Sequence, residues 1–167
     1  MAEALAFFFD DDTEKRLLQL RRRLSGAGVP VGAGRPNVVL AAAGSIPAAA
    51  RTALRSELRL LSIPDLWLHT LGTLPGEDRA LLLGAVADAE LLAVHSAVHD
   101  VLAGKVRNPS AYHFPGAWIP RCSLAEGLSE AQLTAGFGAL LPPEPVRAAV
   151  AEVGVLDTRG GATEMLR

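Results

Sequence analysis

Two six-residue stretches of the chain follow one pattern: Pro-Asn-Val-Val-Leu-Ala at residues 36–41 and Pro-Arg-Cys-Ser-Leu-Ala at residues 120–125. They share Pro, Leu and Ala at the same places, and each is apolar enough to form a buried strand. A serine suited to cap a helix follows each stretch by a few residues, at Ser45 and Ser129. We interpret this as an internal repeat of a strand followed by a helix; the alternative is chance similarity between two buried strands.

The composition excludes several classes of protein. The chain has 167 residues, half of them apolar and a fifth charged, and a formal net charge of −2. This suits a single bilobal domain over residues 1–167 and gives no basic field for duplex nucleic acid. One cysteine, Cys122, excludes an internal disulfide and a cysteine-based zinc site.

The N-terminal region and the hydropathy pattern bear on location. The apolar run at residues 4–9 is short and three aspartates follow it, which is not typical of a signal peptide. No stretch reaches the ~18 apolar residues that a membrane span needs. We therefore expect a cytoplasmic protein without a membrane partner.

Hydrophobic periodicity and turn residues predict the element order β-α-β-α-β-β-α-β-α-β-β. The predicted strands cover residues 4–9, 37–43, 66–74, 80–86, 119–125, 146–156 and 163–166. The predicted helices run from caps at residues 11–13 to about 25, from Ser45 to about 62, from Asp88 to about 104 and from Ser129 to 141. Residues 75–78 form a predicted turn, and residues 105–118 are predicted to be irregular. Helices between strands, with two direct hairpins, indicate a mixed α/β (α+β) fold with largely antiparallel pairing.

The repeated stretches and the element order resemble the 2H phosphoesterase superfamily, in its 2′-5′ RNA ligase-like and cyclic phosphodiesterase branch. Proteins of that family carry two His-x-Thr/Ser motifs, typically set as Pro-His-x-Thr-Leu-Ala, one in each lobe. Residues 114–120, Phe-Pro-Gly-Ala-Trp-Ile-Pro, are similar to the segment before the second motif in bacterial members. The resemblance implies a bilobal fold in which two mainly antiparallel sheets surround a central cleft and the helices pack outside.

The motif residues depart from that family. Where the first motif has His and Thr, this chain has Asn37 and Val39; where the second has His and Thr or Ser, it has Arg121 and Ser123. The family's histidines exchange protons with the attacking and leaving oxygens, which neither an amide nor a guanidinium that stays protonated in proteins does. Each lost acid/base role is worth roughly 10²- to 10⁴-fold in rate. The sequence therefore predicts no phosphodiesterase or RNA ligase activity of the family's kind.

Strand alternation predicts which side chains line the cleft. Residues i and i+2 of a strand point to the same face, so the partners of Asn37 and Arg121 follow from their spacing. Cys122 then faces the helices, as a buried apolar residue rather than a nucleophile. The predicted cleft set, with two members from the loop before the second motif, is Asn37, Val39, Trp67, His69, Tyr112, His113, Arg121, Ser123 and Glu152.

The polar members of this set suit an anion. Arg121 is suited to a carboxylate, phosphate or enolate oxygen, with Asn37 and Ser123 as orienting hydrogen-bonding groups. The alternative is that Arg121 is a structural ion-pair partner of Glu152.

His69 is the candidate general acid or base, because an unperturbed imidazole titrates near neutrality. Trp67 and Tyr112 would then provide flat apolar walls. The alternative is that His69 is an ordinary polar residue at a strand end.

Three other features have simpler explanations. His95 and His99, four residues apart on one helix, match a two-histidine metal arrangement but lack a third ligand, so packed or surface histidines are favoured. Residues 21–23, Arg-Arg-Arg, form a basic patch or, more in keeping with the amphipathic helix, a solvated face. The glycines at positions 32 and 34 lack the context of a phosphate-binding loop. We expect no metal and no cofactor.

Three functional hypotheses follow. In the first, the cleft binds and transforms a small organic molecule, by proton transfer, isomerisation or cyclisation. In the second, it is a non-catalytic module that holds a nucleotide-like or anionic ligand, or a partner protein. In the third, phosphodiester cleavage persists with an acid/base set drawn from His69 and His113. The residue types favour the first over the second.

Overall fold

The computed structural model describes residues 2–76 and 78–167. The predicted turn at residues 75–78 contains Glu77, which lies outside the described residues. The described chain forms nine strands and four helices, with one 3-10 turn at Ala111–His113. In chain order they are β1 (Glu3–Phe9), α1 (Asp11–Gly26), β2 (Asn37–Ser45), α2 (Ala48–Leu60), β3 (Leu66–Gly72), β4 (Leu81–Ala85), α3 (Ala89–Leu102), β5 (Arg107–Pro109), β6 (Arg121–Ala125), α4 (Glu130–Leu140), β7 (Val146–Ala148), β8 (Val150–Asp157) and β9 (Thr163–Met165).

The strands form two sheets in which every pairing is antiparallel. The five-stranded sheet has the order β5-β2-β1-β8-β9, and the four-stranded sheet has the order β6-β4-β3-β7. The predicted mixed class with antiparallel pairing is therefore confirmed. The two repeated stretches form most of β2 and all of β6, which lie in different sheets and contact each other where the sheets meet.

Strand β1 is central because both of its faces are apolar. Six of its seven residues are buried, and it pairs with β2 on one side and β8 on the other. Phe7 lies opposite Val38 and Val153, and all three are fully buried. A strand covered on both faces gives a continuous apolar run instead of an alternating one, which explains the sequence of residues 4–9.

The helices divide between the sheets in pairs. Helices α1 and α4 pack on each other and contact strands of the four-stranded sheet, whereas α2 and α3 pack on each other beside β2. Three of the four helices begin at a side-chain cap, from Asp10, Asp88 and Ser129. Two of these caps follow the prediction; α1 begins one residue earlier than expected, since Asp10 accepts from the Thr13 amide.

The predicted cap at Ser45 is wrong. Ser45 is the last residue of β2 and lies opposite Arg107 of β5, so its backbone belongs to the sheet. Pro47 is the N-cap of α2 and makes no side-chain capping bond. Strand β5 itself was predicted as irregular, because a three-residue edge strand containing Pro109 has too little pattern to be recognised.

The predicted single strand at residues 146–156 is two strands in different sheets. Val146 and Ala148 of β7 pair with β3, and after Ala149 the chain enters β8 beside β1. The switch is held by the Asp10 amide, which donates to the Ala149 carbonyl, and by the Ala149 amide, which donates to Thr13 Oγ1. Both strands are apolar toward the same core, so hydrophobic periodicity runs through the switch without a break.

Within residues 2–76 and 78–167, no helix has both the length and the apolar character that crossing a bilayer requires.

Candidate functional site

The junction of β2 and β6 borders an open cavity of about 470 Å³. Val38 and Leu40 are fully buried on the helix-packed face of β2, whereas Asn37 and Val39 are half-buried and line the cavity. On β6 the same alternation buries Cys122 and Leu124. The polar side chains that line the cavity are Arg21, Arg35, Asn37, His113, Arg121 and Ser123, with exposed Glu126 at one side.

Arg121 provides a cation without an acidic partner. Its Nη1 group donates to the Ile119 carbonyl at 2.9 Å, and no carboxylate oxygen of a described residue lies within 4.0 Å of its guanidinium. Burial lowers the pKa of Arg121 from its ordinary value, while the charge of Glu126 acts in the opposite direction. An arginine stays protonated in proteins even when its pKa falls, so the cavity holds a positive charge that no carboxylate of a described residue contacts directly.

Arg35 also lines the cavity, but two carboxylates compensate its charge. Its Nε contacts Glu14 at 3.1 Å and its Nη2 contacts Glu152 at 3.3 Å. The guanidinium lies 5.0 Å from the ring centre of Phe8, whose side chain is on the same face of the five-stranded sheet as Asn37. Glu152 is therefore the partner of Arg35 and not of Arg121, which excludes the structural ion pair considered for Arg121.

Arg21 is buried, which corrects its assignment to a solvated helix face. It is 8% exposed, whereas Arg22 and Arg23 are exposed. Its guanidinium donates to the carbonyls of Gly34 and Gly32, and at 3.4 Å to that of Ser123. Position 21 follows Leu17 by four residues and precedes Leu24 by three, and both leucines are fully buried. This spacing is the signal in the sequence that would have placed Arg21 on the buried stripe.

The Arg21 bonds connect the two halves of the cavity. Gly34 belongs to the loop that leads into β2, and Ser123 belongs to β6. The Nε group of Arg21 is buried and has no hydrogen-bond partner among the described residues. A buried donor that is left unpaired is costly, and this one belongs to a side chain that lines the cavity.

His113 is the imidazole that lines this cavity. Burial lowers its pKa to about 4, and the charges of Arg121 and His99 act in the same direction. Its Nδ1 atom lies 3.1 Å from Ser110 Oγ. His113 is therefore neutral at pH 7 and able to accept a proton.

Two histidines on α3 pack against β2, and one of them also holds the loop that carries His113. The Nε2 group of His95 donates to the carbonyls of His113, at 2.8 Å, and Leu40, at 3.1 Å, and Nε2 of His99 donates to the same Leu40 carbonyl. The His95 ring stacks on Trp118 at 3.9 Å, and Trp118 Nε1 donates to the Val39 carbonyl. Burial lowers the pKa of His95 to about 4, with the His99 charge as the next cause.

These contacts show that His95 and His99 are packed against β2 and the loop before β6. Among residues 2–76 and 78–167, no group of three or more His, Cys, Asp and Glu side chains is arranged to hold a metal ion. Cys122 is fully buried, and burial raises the pKa of its thiol to about 11, which suits an apolar core residue and not a nucleophile.

Four of the predicted cleft residues lie outside the cavity. Trp67 and His69 are exposed on β3, which is separated from β6 by β4. His69 also lies at a register shift between Leu68 and Thr70, which breaks the alternation used to orient it. Tyr112 is 82% exposed, and Glu152 reaches the cavity only through its ion pair with Arg35. The proposed acid/base role of His69 in this cavity thus loses its geometric basis.

The remaining members of the predicted set lie together: Asn37, Val39, His113, Arg121 and Ser123 all line the cavity. Arg21 and Arg35 were not predicted. Arg21 comes from α1, and Arg35 immediately precedes the first repeated stretch without belonging to its pattern. The pattern of the two stretches therefore contains no information about either arginine.

Comparison with known proteins agrees with this architecture. E. coli LigT complexed with 3′-AMP matches with a TM-score of 0.58 and 16% sequence identity over 98% of this chain and 92% of that chain. Kluyveromyces marxianus Usb1 matches with a TM-score of 0.56 and 11% identity over 98% of this chain and 96% of its own. The structure of that Usb1 with uridine monophosphate matches with a TM-score of 0.54 and 11% identity, over 98% and 97%. No curated protein sequence matches.

At these identities the solved structures establish the fold alone. The family model of the 2′-5′ RNA ligase superfamily matches residues 4–162, which is nearly the whole chain and includes both repeated stretches. The chain therefore belongs to the 2′-5′ RNA ligase superfamily.

Proposed function

We propose that this protein binds a small organic anion in the cavity between β2 and β6. The observation that carries the proposal is the Arg121 guanidinium, which faces the cavity without a carboxylate partner among the described residues. A half-buried arginine of this kind favours anion binding, because charge-assisted hydrogen bonds to the anion replace its hydrogen bonds to water. Arg21, which also lines the cavity, adds a second positive charge.

The neutral side chains support the same ligand class. The Asn37 amide donates to the Arg35 carbonyl at 3.0 Å and retains its oxygen as an acceptor. Ser123 contributes a hydroxyl, and Val39 contributes an apolar contact. Together with Arg121 they provide a charged group, two orienting groups and one apolar wall, which is a common composition for a small-molecule site.

Phosphate esters are the first ligands to test. Related folds are described with 3′-AMP, for LigT, and with uridine monophosphate, for Usb1. Two positions that hold histidine in the family's motifs hold Asn37 and Arg121 here, so binding of a phosphate group does not imply cleavage of a phosphodiester. We expect binding without the family's reaction.

A second candidate function is proton transfer to or from the bound anion. It rests on His113, which lines the cavity and is neutral at pH 7 because its pKa is lowered to about 4. An imidazole with so low a pKa is a weak base in the free protein, and the negative charge of a bound anion would raise its pKa toward the range that proton transfer requires. This candidate replaces His69 with His113 as the acid/base group.

The binding proposal is tested by calorimetric titration with inorganic phosphate and AMP. Wild type should bind at least one of them, and Arg121→Ala should weaken that binding by about 10- to 100-fold, the range for a hydrogen bond to a charged group. Arg22→Ala, which removes an exposed arginine that follows Arg21 in the chain and does not line the cavity, is the matched control and should change affinity by less than twofold. Equal affinity in wild type and Arg121→Ala would refute the proposal.

The expected loss of phosphodiesterase activity has its own test. Wild type should not turn over a 2′,3′-cyclic nucleotide. Clear turnover that disappears in Arg121→Ala or Ser123→Ala would show that a rearranged acid/base set performs the family's reaction. A bell-shaped pH profile near neutrality, lost in His113→Ala, would identify His113 as part of that set.

A further inference from the structure

Three large apolar side chains are exposed on the four-stranded sheet, in a line that begins next to Arg121. Trp67 of β3 is 46% exposed, Val86 directly after β4 is 49% exposed, and Ile119 shortly before β6 is 50% exposed. We call Trp67, Val86 and Ile119 the apolar row. Exposed apolar residues are ordinary when scattered, but a contiguous group at the edge of a cavity indicates contact with another molecule.

The strand register makes the row contiguous. The Val86 amide donates to the Trp67 carbonyl at 2.9 Å, which places these residues opposite each other across β3 and the end of β4. The Ala85 amide donates to the Pro120 carbonyl, which places Val86 opposite Ile119 in the same antiparallel register. Directly opposite side chains in such a pair are about 5 Å apart at Cβ.

All three side chains point away from the helices. Leu66 and Leu68, on either side of Trp67, are buried in the core. Ala85 packs against the same core, so Val86 points to the other face, and Pro120 is buried between Ile119 and Arg121. The row therefore shares the face of the four-stranded sheet on which Arg121 and Ser123 border the cavity.

Arg121 lies at one end of this row. Its guanidinium turns back along its own strand and donates to the Ile119 carbonyl at 2.9 Å. The uncompensated charge is thus adjacent to the first apolar side chain of the row. On the same face of the sheet, two residues before Val86, Gly84 of β4 lies opposite Arg121 of β6 and Thr70 of β3. The side chains between the Arg121 charge and β3 are therefore small.

At the far end of the row, the nearby positive charge is compensated by a carboxylate. Arg147 of β7 lies opposite Trp67, with its guanidinium 6.0 Å from the Trp67 ring centre, but its charge is compensated by Asp65 at 3.1 Å. Positive charge is available at the Arg121 end and neutralised at the Trp67 end. A ligand is therefore oriented with its anionic group at Arg121.

We propose that the anion bound by this protein is amphiphilic, with its charged group at Arg121 and an apolar tail lying across Ile119, Val86 and Trp67. This inference rests on the proposed function of the cavity and specifies its ligand class. A tail that reaches Trp67 from β6 crosses two strand spacings, about 10 Å. A medium-length alkyl chain or an elongated aryl group fits that span.

The test compares octyl phosphate with methyl phosphate below the concentration at which the octyl compound forms micelles. Both carry the same head group, so wild type should bind both, and octyl phosphate at least tenfold more tightly. Trp67→Ala should remove most of this tenfold advantage and change methyl phosphate affinity by less than twofold. Ile119→Ser, at the other end of the row, should act in the same direction.

Intrinsic fluorescence gives an independent readout because the chain has two tryptophans. Trp118 is buried and its Nε1 group is hydrogen-bonded, so a change in emission on adding octyl phosphate should come from Trp67. Methyl phosphate should leave the emission unchanged. Trp67→Phe should bind octyl phosphate and lose the spectral response.

Each outcome decides between the proposals. Equal affinity for the two phosphates, with methyl phosphate bound through Arg121, would overturn the amphiphilic ligand and leave the anion site in place. Failure of both compounds to bind would overturn both proposals.

Leu60→Ala is the control for non-specific adsorption, because it removes a side chain that is 82% exposed at the end of α2, away from the row. If it lowers octyl phosphate affinity as much as Trp67→Ala does, the tail adsorbs non-specifically and the inference is wrong.

Discussion

On the five-stranded sheet, Arg35 borders the cavity between Glu14 and Glu152, and two carboxylates neutralise it. On the four-stranded sheet, Arg121 borders the same cavity and has a main-chain carbonyl as its hydrogen-bond partner. Two arginines that face one cavity thus differ in the charge they offer to a ligand. The number of cations that line a site does not measure its affinity for anions, because the neighbouring carboxylates decide how much charge remains.

The two sheets also differ in what surrounds the strand that carries the repeated stretch, β2 in one sheet and β6 in the other. Beside Asn37 and Val39 lie the buried residues Phe8 and Ala6, which are covered. Beside Arg121 lie the exposed residues of the apolar row. The four-stranded sheet therefore has both the charge and the open surface, and we expect it to contribute most of the binding free energy.

The largest expected effect is on stability, and it comes from Arg21, which joins the loop before β2 to β6 across the cavity. Replacing Arg21 with Met leaves the carbonyls of Gly34 and Ser123 without this donor and removes a buried charge. We expect the free energy of unfolding to fall by about 2–4 kcal/mol, as for the loss of a buried hydrogen-bond network. Urea denaturation measures this loss, and Arg22→Met, at the exposed neighbouring position, should change stability by less than about 0.5 kcal/mol. Equal stability of the two variants would mean that Arg21 does not hold the loop to β6.

The second effect is a dependence of stability on pH. His95 and His113 have pKa values lowered to about 4 in the folded protein from an ordinary value of 6.5. The unfolded chain then binds more protons between these values, so their contribution to stability is complete above pH 6.5 and is lost as pH falls toward 4. One such imidazole gives a slope of up to about 1.4 kcal/mol per pH unit.

Denaturation at several pH values between 4 and 7 measures this slope. His95→Gln removes a titrating ring while it keeps an N–H donor for the carbonyls of Leu40 and His113, so its slope should be smaller than that of wild type. An unchanged slope in this variant would show that His95 does not contribute to the pH dependence.

A smaller effect sharpens the comparison between Arg35 and Arg121. Glu152→Gln removes one carboxylate from Arg35 and should strengthen phosphate binding about two- to fivefold, the range for a partly exposed ion pair. Asp65→Asn makes the same change of net charge beside Arg147, outside the cavity, and should have less effect in a parallel titration. If both variants strengthen binding equally, net charge alone is responsible and the local compensation of Arg35 is unimportant.

The smallest effect is expected at His69. It is exposed at a register shift of β3 and outside the cavity, so His69→Ala should change phosphate affinity by less than twofold and should leave any turnover unaltered. A loss of more than tenfold would restore His69 as a functional residue. The assay is the same titration used for Arg121→Ala.

Local patterns predicted much of the fold. Residues 4–9, with apolar side chains on both faces, indicated a central strand, and the caps at Asp88 and Ser129 began helices where predicted. The two-residue alternation in β2 and β6 also predicted that Asn37, Val39, Arg121 and Ser123 face the same way as one another within their strands. These features depend on neighbours within a few residues, which a sequence pattern reports directly.

The errors have a common cause. Alternation gives the face of a sheet but not the lateral order of its strands, so Trp67 was assigned to the cleft although β4 separates its strand from β6. A register shift at His69 and the change of sheet at Ala149 interrupt or conceal the period. The alternative pairing of Glu152 with Arg121 left out Arg35, its partner in the structure, because Arg35 comes from a loop with no regular pattern.

The sequence by itself predicted the family resemblance and the antiparallel α+β class, because these depend on residue identity and short-range periodicity. The tertiary structure alone decided that Arg21 is buried and joins the loop before β2 to β6, that carboxylates contact Arg35 and not Arg121, and that the apolar row begins beside Arg121. Each of these depends on which distant segments meet in space, and electrostatic compensation and burial are properties of those meetings.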